Sequence, residues 1–320
     1  MGHGNRLIKA WAAPLVGLLC ASFSGAAEPP KPFPVVPLPF WPFGKQDKSV
    51  ALNQTDGKNS GKSNSPIIQA AATQTEQTTP GTPDPATDPV LLASKAVAAY
   101  ESLNGCIMRF TRRENLGKGL KPDETVLLKM RREPFAVHMK WLDTDAQGRQ
   151  IIYNRAADEH SMQVITASGD IPLIGGNRRM KVDINSSLAK GSSRYTITDT
   201  GYGGAVLRYR KVVEDWQRGT LPQQNIKSLG LVVRPEFPVR QAAVEMTFPP
   251  GYDTHFPRGA KRLLCFSLET GLPTILTTWD ENGLELEYYK FDRAFPVPLD
   301  EVDFDPDRLW LPATGKANPK

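Results

Sequence analysis

The chain has 320 residues, 40% hydrophobic and 23% charged, with a formal net charge of +5. That is enough for one large core, but the excess of Lys and Arg lies mostly near the ends and the charges between 89 and 312 nearly balance. The basic character is therefore no footprint for nucleic acid.

In chain order, the first 27 residues read as an export signal: Arg6 and Lys9 supply a positive start, 10–23 is apolar, and Ser24-Gly25-Ala26-Ala27 offers small residues for cleavage near Ala27 or Glu28. An apolar run of that length is shorter than the about 20 residues a spanning helix needs, and no later stretch exceeds it. No transmembrane span is expected in the mature chain, although an uncleaved signal would serve as an anchor. Leu19 stands before Cys20 where a lipoprotein signal needs a small residue. The expected location is the periplasm or envelope.

Residues 28–87 read as a disordered linker. A Pro-rich block, 29–43, carries Phe33, Phe40, Trp41 and Phe43 and favours polyproline II; a Ser/Thr/Asn/Gln/Gly-rich coil follows. Its aromatics are either incidental or a docking peptide for another envelope protein.

The folded domain is expected over 88–312, with a disordered tail at 313–320. Asp88-Pro89 caps a helix that Asn104-Gly105 ends. Strands are predicted over 107–114, 125–133, 135–142, 149–154 and 161–166, then a helix over 203–219, then strands over 229–233, 241–248, 261–268, 273–280 and 284–291. Short turns such as Thr270-Gly271 and Asn282-Gly283 imply antiparallel neighbours. Alternation places Met108 and Phe110, then Val126, Leu128 and Met130, then Val137, Met139 and Trp141 on one face, with Val206, Val213 and Trp216 of the second helix packed over it. The other face carries Arg109, Arg113, Lys129, Arg131, His138 and Lys140. That basic row reads as a solvated outer surface or as a patch for anionic headgroups or peptidoglycan. Cys106 and Cys265 begin an early and a late strand; they either pair as a disulfide or stay buried thiols.

Arg113-Glu114 ending the first strand, the run Arg194 to Gly201 before a helix, Thr270-Gly271-Leu272-Pro273 in a hairpin and Asp303-Phe304-Asp305 together resemble domain of unknown function 1571, a bacterial envelope family. The element order, with its Arg-Arg-Glu-Pro-Phe turn, more remotely resembles the lipoprotein-carrier fold of LolA and LolB. The resemblance implies an α+β fold in which a strongly curved antiparallel sheet, a half-barrel of nine or ten strands, holds helices on its concave face and acyl chains in the cavity between.

No cofactor, metal site or catalytic residue emerges. His138, His160 and His255 are scattered, and H-E-x-x-H, C-x-x-C and G-x-S-x-G do not occur. Gly201-x-Gly203-Gly204 opens a helix but lacks a Walker lysine, and reads as a tight helix start. The apolar face is core first; its Met and aromatic content also suits a deformable lipid cavity, which makes Met108, Phe110, Val126, Leu128, Met130, Val137, Met139, Trp141, Val206, Val213 and Trp216 the candidate lining. The expected function is a non-enzymatic periplasmic binder of lipid or lipoprotein acyl chains. An envelope scaffold or sensor-associated domain, and an enzyme acting on envelope polymers, stand as alternatives.

Overall fold

A computed structural model describes residues 85–170 and 176–310. The expected signal, the linker up to 84 and the tail after 312 lie outside the described residues. The linker's expected last residues, Pro85–Thr87, form a 3-10 turn, and Thr87 is buried.

Helix α1 (Pro89–Ser102) begins where its cap demands: the Asp88 carboxylate accepts the N–H groups of Val90 and Leu91, each at 2.9 Å, and Pro89 supplies a first-turn φ without a donor to lose. Six strands follow as a meander, β1 (Gly105–Glu114), β2 (Glu124–Arg131), β3 (Ala136–Trp141), β4 (Gln150–Asn154), β5 (Ser161–Ile165) and β6 (Arg179–Asp183). Two helices, α2 (Ser187–Ser192) and α3 (Tyr202–Gln217), carry the chain to the opposite edge. A second meander then runs inward through β7 (Ile226–Arg234), β8 (Phe237–Phe248), β9 (Ala260–Ser267), β10 (Pro273–Trp279) and β11 (Glu285–Pro296). The result is one antiparallel sheet of 11 strands in the order β6-β5-β4-β3-β2-β1-β11-β10-β9-β8-β7. β11 returns to pair with β1, with Phe110 opposite Phe291, so the two meanders meet at the centre.

Helices α1 and α3 lie on one face of this sheet. Leu92, Ala96 and Tyr100 of α1 and Val206, Tyr209 and Val213 of α3 join Met108, Leu128, Val137, Val244 and Phe266 in one core. Each fully buried side chain of this size contributes about 1.5–3 kcal/mol. The Tyr209 hydroxyl donates to the Pro89 carbonyl at 2.9 Å and locks the helices together.

Three expectations need correction. The sheet has one strand more than predicted: β6, at an edge, is mostly exposed and shows only Met180 and Val182 as an apolar alternation. Nor is the basic face mostly solvated: of its six residues only Lys140 is exposed. The acidic segment after β11 and α4 (Pro306–Leu309) cross it, burying Phe304 against Ala136 and Ile152. Arg131, 7% exposed, meets Glu301 at 2.8 Å, Arg113 meets Glu285 at 2.7 Å, and Arg109 pairs with Asp292. Third, Cys106 and Cys265 are free thiols. β11 and β10 stand between their strands, a separation of roughly 14 Å at the usual strand spacing, against the about 7 Å limit for a bridge. They also face opposite ways, Cys106 into the helix-side core and Cys265 toward Ala243, Ile275 and Tyr288.

Candidate functional site

Beside α3 the concave face holds a cavity of about 560 Å³, inside the roughly 300–1,000 Å³ range of small-molecule sites. Its apolar wall comes from alternate, inward-facing residues of four neighbouring strands: Met139, Ile151, Met162, Val164, Met180 and Val182. Leu188 and Ala189 of α2 and the segment 193–201 complete the enclosure. α2 buries no residue fully, so it covers the cavity without plugging it.

One end of the cavity is charged, because the inward faces of several strands turn polar there. Arg112 and Glu114 continue the row of Met108 and Phe110, and Glu124 opens the row of Val126 and Leu128. The Arg112 guanidinium donates to Glu124 at 2.7 Å; Arg149 reaches the other Glu124 oxygen at 3.2 Å and donates to Asp170 at 2.9 Å. Both guanidiniums stack on Trp141, 5.8 and 5.2 Å from its ring centre. Burial alone would raise the Glu124 pKa, but the Arg112 and Arg149 charges outweigh it and hold the carboxyl below its usual value. The Trp141 indole N–H lies near that carboxylate without completing a hydrogen bond.

Deeper, Glu287 is fully buried, and one of its oxygens accepts from Arg262 at 2.9 Å, Thr278 at 2.8 Å and Tyr195 at 3.1 Å. Arg194 stands 3.4 Å from the other. Glu114 accepts from Ser193 at 3.3 Å, from the Arg194 N–H at 3.1 Å and from the Tyr289 hydroxyl. These acids are bound into structural networks. The histidines meet other groups: His138 bonds Gln150, His160 sits by Glu159, and His255 packs on the Tyr195 ring. Among the described residues no hydroxyl or thiol is hydrogen-bonded to any of them.

Of the eleven candidate lining residues, Phe110, Met139 and Trp141 reach the cavity. Met108, Val126, Leu128, Met130, Val137, Val206 and Val213 do not; at 0–2% exposure they belong to the close-packed core, because α1 and α3 are seated over them. Trp216 is half-buried at the far end of α3, its indole donating to the Gln223 carbonyl at 3.0 Å. The glycine run serves packing: a Cβ at Gly204 would stand 2.0 Å from the Asp199 carbonyl oxygen. The methionines of β5 and β6 and the inward charges escaped the sequence reading.

Comparison with known proteins adds a family. A model described as protein of unknown function (DUF1571) matches residues 104–320. No curated protein matches the chain. Among solved structures, an uncharacterized conserved protein from Thermus thermophilus is similar at 7% identity, covering 67% of this chain and 90% of its own, with a TM-score of 0.38. The Mycobacterium tuberculosis lipoprotein LppX is similar at 12% identity, 67% and 98% coverage and a TM-score of 0.38. A putative outer membrane lipoprotein-sorting protein domain from Vibrio parahaemolyticus shows 9% identity, 70% and 99% coverage and a TM-score of 0.34. Overlaps of this size assign no function to the chain.

Proposed function

The chain belongs to the DUF1571 family, and we propose that its domain binds a lipid or lipoprotein acyl chain in the cavity beside β3–β6, without catalysis. The observation that carries this is the cavity itself: about 560 Å³ enclosed by Met139, Met162, Met180 and branched apolar side chains. Methionine walls adapt to irregular apolar guests. The apolar start and small-residue cleavage site at 10–27 support export, which would put the domain where envelope lipids are. No helix among the described residues is long and apolar enough to cross a membrane. In this reading 29–43 either spaces the domain from its attachment or docks it to an envelope protein.

Each buried methylene contributes about 0.8 kcal/mol, set against roughly 4–15 kcal/mol for lost freedom on association. Short chains should therefore bind negligibly, and affinity should climb about tenfold or more per two added methylenes until the cavity is full. The test is a fluorescent fatty-acid series on the full chain, with native mass spectrometry of protein purified from its own envelope. Co-purifying lipid and a rising, then flat, series are expected. Absence of bound lipid together with no uptake at any chain length would sink the reading and favour the envelope scaffold.

A further inference from the structure

We propose that the ligand is an anionic amphiphile, an acyl chain ending in a carboxylate or phosphate whose headgroup is held at the cavity rim by Lys121 and Lys190. This rests on the acyl-chain reading above and narrows it to a charge class.

The charges on the cavity wall do not cancel. Arg112 and Arg149 are matched by Glu124 and Asp170, Arg194 and Arg262 by buried Glu287 together with Glu114, which accepts the Arg194 N–H, and Arg208 meets Asp199 at 3.1 Å. Lys121 and Lys190 also line the cavity, both are exposed, and neither has an acidic partner among the described residues. They stand at the same end. The Lys121 N–H donates to the Glu114 carbonyl at 3.3 Å, which brings this residue back beside the end of β1. Lys190 lies in the last turn of α2, and the residues just after it are fastened to the same strand end: Arg112 donates to the Ser192 carbonyl at 3.2 Å, and Ser193 to the Glu114 carboxylate.

The physics of such a rim is selective. An apolar wall of low dielectric behind two uncompensated cations focuses a positive field at the opening. A lysine ammonium on its flexible stem stays hydrated until a ligand arrives, then closes on an anion as a point charge. An acyl chain with an anionic end satisfies wall and rim together; an uncharged ester leaves the rim unused.

The experiment uses the full chain, stripped of lipid, and three probes of equal chain length: a fatty acid, its methyl ester and an alkyl phosphate. Wild type is expected to bind at least one anionic probe about tenfold more tightly than the ester, with the margin shrinking as salt is added. The preferred anion identifies the headgroup. Lys121→Gln/Lys190→Gln, two exposed sites, should lose that margin while its ester affinity and melting temperature stay as in wild type. Equal binding of all three probes by wild type, or a margin that survives the double substitution, overturns the headgroup assignment and leaves the acyl reading standing. No binding of any probe, the ester included, overturns both.

Discussion

Val137 and Met139 lie two residues apart on the same face of β3, opposite Met130 and Leu128 of β2, yet only Met139 touches the cavity. Arginine at the two positions should therefore have unequal consequences. At 137, fully buried between Met130 and Tyr153 of the neighbouring strands, a guanidinium is cut off from solvent. Leaving a buried charge uncompensated costs about 3–5 kcal/mol, a large share of a typical total of about 5–15 kcal/mol. At about 2–4 °C per kcal/mol for a domain of this size, Val137→Arg should melt roughly 6–20 °C below wild type. At 139 the arginine stem can lie along the apolar wall and send its head into a cavity that also carries Glu124 and Asp170. Losing about half of the about 1.5–3 kcal/mol of methionine burial gives a drop of roughly 2–6 °C. The same head would occupy the binding space, so probe uptake should vanish. Thermal melts and fatty-acid probe binding on both full-length variants check this. Two variants that melt together, or a Met139→Arg protein that binds probe as wild type does, would refute the placement of the wall.

Other expectations are open to direct measurement. Burial pushes the Cys106 and Cys265 thiols up to about 12, so neither should be alkylated in the native protein at pH 8 and both should be after denaturation without reductant; a disulfide-linked peptide in mass mapping would contradict the strand order. Asp215 of α3 would be raised by burial, but hydrogen bonds from Lys211, Tyr252 and Arg218 bring it down to about 2. Its folded value lies below the unfolded value of about 4, so its stabilisation is complete above about pH 4 and disappears as the pH falls to about 2. Asp215→Asn should accordingly melt below wild type at pH 7 and approach it near pH 2, and a gap independent of pH would argue against the network. Asp88→Ala removes the acceptor for two helix N–H groups and should cost about 1 kcal/mol in a denaturant titration at unchanged m-value.

The strand rows were legible because burial follows the period-2 alternation almost residue by residue, as in Val126, Leu128 and Met130. The helix cap at Asp88 was legible for the same local reason. β6 and α2 were not, since 176–192 is polar and the strand shows only two apolar residues at an edge. The cavity lies further from view, because a cavity is a failure of packing between distant elements. Met130 and Met139 carry the same inward signal; α3 covers one and leaves the other facing open space. The available clue was charge on the wrong side of the alternation. Arg112 and Glu114 fall in phase with Phe110, as Glu124 does with Val126 and Glu287 with Tyr289, and inward charge at one end of several strands marks where the interior stops being close-packed.

The seam between β1 and β11 also governs the order in which the protein can be made. As the chain is synthesised, β1 to β6 emerge as consecutive hairpins able to pair at once, whereas β1's second neighbour lies nearly the whole domain later, Cys106 waiting for Pro296. At about 5–20 residues per second the ribosome needs roughly 10–40 s to deliver it. Through that interval the nascent sheet presents a ten-residue strand with a bare row of amide and carbonyl groups at what will become its centre. A growing chain in that state is a template for any other extended segment nearby, so the demand for chaperoning falls on the interval before the last hairpin arrives.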